Sequence, residues 1–336
     1  MGADFDFFNG ALTVSADYFN KVTSDILIPP AVPGVFGTGL PDFNAGKVGS
    51  KGWELVAAYQ HNGERFTHNI SFNIGDSQNE VLDFQGNERL SNVEELQILL
   101  KEGYPYQSYV GLQRDGYFQS IEEIEGAAVP EGLTVQPGDN RYVDVNDDGV
   151  IDDEDKVVFG NPFPRYTFGF NYRGAFKGFD LAILVQGVGK RTMMIRGETV
   201  EPFHYNYGMT MYEHQLDYWT PQNPDARYPR LADNGSHSNT NNFRRGSDMY
   251  LFDGAYLRLK NVQLGYTLPQ SLAERVGMKR VRAYVSGQNL FTLSKVKFVD
   301  PELTEFNSSM NNENRANSAR AYPTLIFYGF GLDLTF

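Results

Sequence analysis

The stretch YTFGFNYRGAFKGFDLAILV, residues 166–185, decides the fold. Large apolar side chains stand at every second position on either side of a short turn, and Thr167, Asn171 and Arg173 stand between them. Alternation with period two is the pattern of a β-strand whose two faces meet different surroundings. The stretch therefore predicts an antiparallel hairpin with one face in an apolar medium and the other in a polar one.

The same alternation recurs along the chain and predicts about nine strands. In the segment before the hairpin, Ile70, Phe72 and Ile74 alternate with small polar residues. The last segment alternates in the same way and ends on an aromatic residue, Phe336. Besides the two strands of the hairpin, the pattern predicts strands at 4–8, 11–20, 53–61, 66–75, 256–268, 281–293 and 324–336.

The connections between the predicted strands are of two kinds. Asn-Gly pairs at residues 9–10 and 62–63 are typical of two-residue hairpin turns. By contrast, residues 76–164 and 191–253 are very long connections. Transmembrane barrels combine short periplasmic turns with long extracellular loops. The sequence therefore predicts an all-β chain, an antiparallel transmembrane β-barrel portion with long extracellular loops, located in a bacterial outer membrane.

Composition agrees with a β-rich chain and excludes several classes of function. Aromatic residues make up 14% of the 336 residues and Gly occurs 34 times, which favours strands joined by many turns. No run approaches the roughly 20 apolar residues of a membrane-spanning helix. The net charge of -13 would repel the phosphates of nucleic acid, so no nucleic-acid partner is expected. The absence of Cys excludes disulfides, thiolate metal sites and Cys nucleophiles.

The first residues lack the features of a secretory signal. Met1 is followed by GADFDFFNG, which has neither a basic segment nor an apolar core. We therefore expect either a cytosolic chain or a fragment whose export signal lies upstream.

Local helix signals occur inside the predicted connections. Ser91 and Glu94 form a capping-box pattern ahead of a leucine-rich run, which predicts a helix of about three turns there. A second helix is predicted over residues 209–219. One helical turn is predicted over residues 269–275, between two strands.

The segment DVNDDGVIDDED, residues 144–155, has the spacing of a 12-residue calcium loop. Gly149 at position 6 permits the sharp turn, and Asp155 takes position 12, where a longer Glu usually ligates. We expect this loop to bind a structural calcium ion and so pin a long connection. The alternative is a solvated acidic loop that binds nothing. The predicted ligands are Asp144, Asn146, Asp148, the Val150 carbonyl, Asp152 and Asp155.

Aromatic residues of the second long connection are the candidate ligand contacts. The side chains of Tyr205, Tyr207 and Trp219 are of the kind that stack on sugar rings and other flat ligand faces. Ordinary packing inside the loop is the alternative. The chain has no HExxH spacing, phosphate-binding loop, nucleophile elbow or dinucleotide fingerprint. We therefore predict no catalytic residues and no enzyme.

Several strings in the C-terminal third resemble the closing barrel strands of SusC-like TonB-dependent transporters, the SusC/RagA family. The DPE at residues 300–302, the terminal Phe336 and the calcium-loop string extend the resemblance. The strings are WTPQNPDARYPRL from Trp219, GAYLRLKNVQLGYTLP from Gly254, RAYVSGQNLFTLSK from Arg282 and YPT from Tyr322.

The resemblance implies the C-terminal part of a large plugged barrel that imports oligosaccharides or peptides. It implies a SusD-like surface lipoprotein as a partner and the TonB system as the source of energy, contacted through an N-terminal part that these residues do not include. It also implies that the barrel-assembly machinery recognises the last strand, which ends at Phe336, and that lipid of the outer membrane surrounds the strands.

Two other hypotheses are compatible with the residues. A soluble, calcium-stabilised β-sandwich that binds carbohydrate would need polar side chains on every face in contact with water. A glycan-cleaving enzyme would need two positioned carboxylates, and the sequence contains many acidic residues but no recognisable pair. The uninterrupted apolar alternation of the strands favours the barrel over both.

Overall fold

A computed structural model describes residues 1–28, 43–86, 88–93, 96–204, 210–302 and 322–336. The strands are β1 (Gly2–Phe7), β2 (Leu12–Ile28), β3 (Phe43–Asn62), β4 (Phe66–Asp83), β5 (Arg89–Val93), β6 (Leu96–Leu100), β7 (Ser108–Leu112), β8 (Arg114–Tyr117), β9 (Val129–Pro130), β10 (Asn140–Tyr142), β11 (Val150–Ile151), β12 (Lys156–Gly160), β13 (Arg165–Phe176), β14 (Phe179–Lys190), β15 (Thr192–Met194), β16 (Leu251–Asp253), β17 (Tyr256–Thr267), β18 (Arg280–Ser294) and β19 (Phe327–Thr335). The α-helices are α1 (Ile121–Glu125), α2 (His237–Phe243) and α3 (Gln270–Arg275).

One antiparallel sheet of nine strands organises the chain, in the order β1-β2-β3-β4-β13-β14-β17-β18-β19. Every strand pairs with its predecessor in this order, so the sheet is an up-and-down meander into which the smaller elements are inserted. The nine strands predicted from alternation are confirmed. Among the described residues, β1 and β19 each have a neighbour on one side only.

The two faces of this sheet differ in polarity, as the alternation predicts. Tyr172 of β13 pairs with Ile70 of β4 and Ile183 of β14, so their side chains share one face, which we call the apolar face. Arg173 pairs with Asn69 and Ala182, and this set defines the opposite, polar face. On β19 the apolar face carries Tyr328, Phe330, Leu332 and Leu334, and Phe330 is 86% exposed.

Short and long connections lie at opposite ends of the sheet. Four of them are short and lie at one end, where β1–β2, β3–β4, β13–β14 and β17–β18 are joined, the last through α3. At the other end β4 connects to β13 through residues 84–164 and β14 connects to β17 through residues 191–255. The asymmetry read from the sequence and the helical turn after residue 269 are therefore both confirmed.

The long connections hold the buried core of the chain. We call the described residues of 84–164 and 191–255 the loop body; it contains a four-stranded sheet in the order β12-β7-β6-β5. Its largest core cluster lies outside the nine-stranded sheet and includes Leu96, Tyr109, Met193, Ile195, Phe243 and Tyr250. The predicted loops thus carry a folded structure of their own.

Three local predictions were wrong. The capping-box pattern at Ser91 precedes no helix: β5 and β6 form a hairpin, and β6 also pairs with β7. Pairing on both sides and burial of the leucines in the core outweigh the local helix signal. Within 209–219, the described residues contain only a single 3-10 turn at Glu213–Leu216. Strand β4 runs to Asp83, seven residues beyond the predicted start of the long loop at residue 76.

No helix in the described parts of the chain is long and apolar enough to cross a membrane.

Candidate functional site: the polar face and the loop body

The polar face forms a groove of about 720 Å³ towards the short-turn end of the sheet. Its walls come from β4, β13, β14 and β17, whose polar positions fall into one register. Residues on this wall carry amide, guanidinium and carboxylate groups, which exchange hydrogen bonds with water and polar solutes. Its polar lining includes Asn69, Asn171, Arg173, Asp180, Asn261 and Gln263.

A charged cluster ties four strands together at the short-turn end of the polar face. The guanidinium of Arg282 on β18 donates to both carboxylate oxygens of Asp180 on β14, at 2.9 and 2.6 Å. It also donates to Asp333 of β19 at 2.9 Å and to Gln263 of β17 at 3.1 Å. A bidentate pair fixes orientation as well as distance. The cluster therefore sets the lateral register of these strands on the polar side.

The absence of a side chain at Gly265 is what makes room for this cluster. Gly265 lies on β17 opposite Asp180, and a Cβ built there would lie 2.5 Å from Arg282 Nη2 and 2.5 Å from Asp180 Oδ2. Such distances are far below van der Waals contact, so any larger residue would displace the ion pair. The sequence string that carries this glycine is one of those that support the family resemblance.

A second charged cluster docks the connection after β18 onto the sheet at the long-loop end. Arg258 of β17 donates to Asp300 at 2.6 Å and also to Glu302, and its Nε donates to Thr292 at 2.8 Å. Lys260 adds an ion pair to Glu302 at 3.0 Å. The side chains of Arg258 and Asp300 are only 5% and 4% exposed. The DPE string at 300–302 is therefore an anchor for the connection.

Asp300 is held in its charged form by its surroundings. Burial by itself would raise the pKa of this carboxyl. Hydrogen bonds from Arg258 and from the backbone and side chain of Thr324 outweigh burial and lower the pKa to about 2. Its carboxylate also accepts the backbone N–H of Glu302 at 2.9 Å. Asp300 thus joins both ends of the connection, near residues 302 and 324, to one strand of the sheet.

Buried polar contacts join the two long connections into one body. Asp139 accepts hydrogen bonds from Ser238 at 2.7 Å and from Asn242 at 3.0 Å, and the backbone N–H of Asn140 donates to the Asn242 side-chain oxygen at 2.8 Å. Desolvation raises the pKa of the Asp139 carboxyl, and the hydrogen bonds oppose that rise. Burial likewise raises the pKa of Tyr142 to about 12, and its hydroxyl donates to the Asn241 carbonyl at 2.5 Å. These contacts cross about 100 residues of sequence.

The calcium-loop segment adopts a turn centred on the Asp144 carboxylate. The backbone N–H groups of Asp148 and Gly149 donate to Asp144 at 3.2 and 2.8 Å, and Gly149 has a φ of 85°. The Asn146 amide lies 3.0 Å from Asp148. The first part of the loop therefore gathers oxygen-bearing side chains on one turn, as the spacing predicts.

The second half of the loop does not join this set. Asp155 is fully buried, and its two carboxylate oxygens accept the backbone N–H groups of Val145 and Asp152 at 2.7 and 2.9 Å. Asp152 in turn caps a 3-10 turn by accepting from Glu154. In the described residues, no three His, Asp or Glu side chains come close enough to hold a metal ion together. The Asp155 side chain therefore closes the loop from inside, and calcium binding by the six predicted ligands stays a prediction.

Of the three aromatic residues predicted to contact ligand, the structure describes only Trp219. Tyr205 and Tyr207 lie outside the described residues. Trp219 is only 8% exposed: its indole N–H donates to Gln119 at 3.0 Å and its ring covers Gly138. Trp219 is therefore part of the packing between the two long connections, which favours the alternative of ordinary packing over a ligand contact. Burial of one face by a glycine-containing turn decided its role.

No protein-family model matches the chain. Whole-chain comparison is more informative. The chain is 28% identical to TonB-dependent receptor P3 of Formosa agariphila, with all of this chain and 33% of the relative covered. It is 25% identical to TonB-dependent receptor SusC of Bacteroides thetaiotaomicron, again over all of this chain and 31% of that protein. Over its whole length the chain is therefore similar to about a third of each of these TonB-dependent receptors.

The chain also shares its fold with part of a solved importer. A structure of the RagAB peptide importer in its open-open state superposes with a TM-score of 0.73 at 20% sequence identity, over all of this chain and 34% of that chain. The likeness shows that the nine-stranded sheet is a β-barrel portion. The chain spans about a third of the length of the relatives it matches. The named relatives are receptors and an importer, not enzymes.

The sequence analysis missed the two charged clusters of the nine-stranded sheet. Arg258 and Arg282 each stand at a polar position within an otherwise alternating strand, which was the available signal. Asp300, the partner of Arg258, lies 42 residues away along the chain, and Asp180, the partner of Arg282, lies 102 residues away. Only the pairing of strands brings such residues together, so no local pattern could have named the pairs.

Proposed function

We propose that this chain forms part of the wall and the outer loops of an outer-membrane importer of oligosaccharides or peptides, driven by the TonB system. The observation that carries the proposal is the two-faced sheet of nine strands. An apolar face of exposed aromatic and aliphatic side chains suits lipid, and a polar face of amides and charges suits a water-filled lumen. The relationship to TonB-dependent receptors supports the direction of transport.

The large exposed apolar side chains support contact with lipid, because the alternative would leave them in water. Large side chains such as Phe330, Tyr328 and Leu332 are mostly exposed, on a face that runs across neighbouring strands. Soluble monomers rarely expose an apolar patch of more than a few hundred Å². The soluble β-sandwich reading would need a second sheet over this face, whereas the described core lies in the loop body. The barrel reading accounts for both observations.

The partners follow from the two ends of the sheet. The loop body stands at the long-loop end, where we place a SusD-like surface lipoprotein that delivers the nutrient. We assign contact with TonB to parts of the receptor beyond the third that this chain matches. The barrel-assembly machinery would act on β19, the strand that precedes the terminal Phe336. We assign no enzymatic activity to the chain.

The orientation has a direct test in intact cells that express the full receptor. A short epitope inserted at Gly235, an exposed turn of the loop body, is expected to bind antibody without permeabilisation. The matched control is the same epitope between Lys177 and Gly178, in a short turn at the opposite end, which should bind only after permeabilisation. The reverse pattern would contradict the orientation. Unchanged uptake of all oligosaccharides and peptides after deletion of the gene would contradict the transport role.

We also propose that residues 144–155 bind calcium as a structural ion of the loop body. Support comes from the turn around Asp144, with Asn146, Asp148 and the Val150 carbonyl as the oxygen donors of the first half of the loop. Asp155 contributes by holding the loop closed rather than as the sixth ligand. The ion would stiffen the connection and leave the transport chemistry unchanged.

A further inference from the structure

Strands β2, β3 and β4 extend well beyond the apolar face. They have 17, 20 and 18 residues, whereas a tilted strand needs about 9–11 residues to cross a bilayer. On the apolar side, Tyr18 and Trp53 are cross-strand neighbours, and beyond them polar positions outnumber apolar ones, although Val22 and Leu82 are still exposed there. Aromatic residues of this kind line the membrane–water interface of barrels. The strands continue past this boundary towards the long-loop end.

A pocket of about 460 Å³ with a mixed polar and apolar lining opens just past these aromatic residues. Asn20 of β2, Lys51 of β3 and Gln78 of β4 form one cross-strand row, and they follow Tyr18 and Trp53 on the same side of the sheet. Glu80 lies two residues farther along β4, and the turn at Gly103 and Pro105 also lines the pocket. We call this the headgroup pocket. It faces the side on which lipid, rather than the lumen, would lie.

Lys51 gives the headgroup pocket an available cation. Asp76, which also lines the pocket, is already paired with Arg165. Across the described residues, by contrast, no carboxylate lies within ion-pair distance of Lys51. A lysine at this height, next to aromatic rings and amide groups, matches an anionic group bordered by hydroxyls.

The aromatic rings supply the other half of the recognition surface. Tyr18 and Trp53 are 52% and 38% exposed, so their ring faces are accessible from the lipid side. Rings at this position pack against both the acyl-chain boundary and the carbon face of a sugar. Asn20, Gln78 and Glu80 add hydrogen-bonding groups that suit sugar hydroxyls.

We propose that the headgroup pocket binds an outer-leaflet amphiphile with a phosphorylated sugar headgroup. The phosphate sits at Lys51, the sugar lies against Trp53, and the acyl chains follow the apolar face. This inference rests on the proposed outer-membrane location. It adds a lipid site that is separate from the nutrient path on the polar face.

Native mass spectrometry of the detergent-purified full receptor tests the proposal, with lipid A, an acylated and phosphorylated glucosamine disaccharide, as the probe. Lys51→Gln is expected to weaken lipid A binding about fivefold, which is the effect of one lysine near a charged headgroup. The matched control is Lys21→Gln. Lys21 lies one residue farther along β2 than Asn20, on the opposite face of the sheet. The Lys21→Gln variant should therefore bind lipid A as the unchanged receptor does. Heat-modifiability on gels checks that both variants fold.

Removal of the phosphates from lipid A should reduce binding to the unchanged receptor to the level of Lys51→Gln. Equal lipid A binding by both lysine variants would overturn the proposal, as would no effect of phosphate removal. Nutrient uptake separates the two proposals, because Lys51 lies away from the lumen. Normal uptake together with phosphate-independent lipid binding would refute the lipid site alone, and absent uptake with selective lipid binding would refute the transport role alone.

Discussion

The anchor between Asp300 and Arg258 gives the sharpest prediction about stability. Asp300→Asn removes the charge but keeps a side chain of similar size. Because the pKa of Asp300 is lowered from 3.8 to about 2, the folded connection favours the ionised carboxylate. A lowered pKa contributes stability that is present above the ordinary value of 3.8 and is lost as the pH falls through about 2. The contribution is therefore complete at neutral pH.

The size of the effect follows from the pKa and from the contacts. A shift of this size corresponds to about 2 kcal/mol of preference for the charged form. Removing one partner of a buried ion pair costs about 3–5 kcal/mol when the other charge is left alone. Glu302 remains beside Arg258 after the substitution, so Arg258 is not left alone and the figure from the pKa shift applies. We expect the docked connection to lose about 2 kcal/mol at neutral pH.

Hydrogen exchange of the full receptor measures this loss at the right place. The backbone N–H groups of Glu302 and Thr324 both donate to Asp300, at 2.9 and 3.0 Å. Weaker docking by about 2 kcal/mol should speed exchange of these amides about 30-fold at neutral pH. The variant should also lose the rise in exchange that the unchanged protein shows as the pH falls from about 4 towards 2, after correction for intrinsic rates.

A nearby surface pair provides the control. Asp253 forms an ion pair with Lys295 at 2.9 Å, but the Lys295 side chain is 81% exposed. Exposed pairs contribute about 0–1 kcal/mol, so Asp253→Asn should change the exchange of the same two amides by less than about fivefold. If the two variants behave alike, or if Asp300→Asn leaves the amides protected, then Asp300 is not what holds the connection.

Three further outcomes are expected. Arg282→Met leaves Asp180 and Asp333 without their shared cation, so the folded barrel should lose its heat resistance on gels at a lower temperature, and an unchanged transition would contradict the cluster's role. Gly265→Val should lower the same transition at least as much, because its side chain would overlap the ion pair, whereas equal stability would show that the strands shift freely. Calorimetry with the full receptor should show calcium uptake that Asp144→Asn abolishes, and no uptake by the unchanged protein would rule out the calcium site.

Alternation in the sequence was sufficient to predict the strands, but it did not predict their full length. Along β13 and β14 the apolar and polar surroundings differ so strongly that the period of two is unmistakable. Beyond Asp76, β4 continues through mostly polar and charged residues, and its buried Val81 packs against Phe84 of the long connection. The end of the alternation therefore reports the end of the apolar surroundings rather than the end of the strand.

Local signals misled where tertiary pairing competed with them. The residues after Ser91 satisfy a helix-capping pattern, yet β6 is buried between β5 and β7. Trp219 looks like a contact for ligands in a loop, yet it packs on Gly138, about 80 residues away in sequence. Neither outcome is encoded within a window of a few residues, because the neighbour that decides it lies elsewhere in the chain.

The sequence by itself determined the period-two pattern, the nine strands, the uneven connections and the resemblance to SusC-like receptors, because these depend on local residue order. Only the tertiary structure decided that the long connections share one core, that Asp155 turns inward in the acidic loop, and that Arg258 and Arg282 find their carboxylates. Each of these depends on the register between strands far apart in sequence. A shift of one residue in that register would turn every side chain of a strand to the other face.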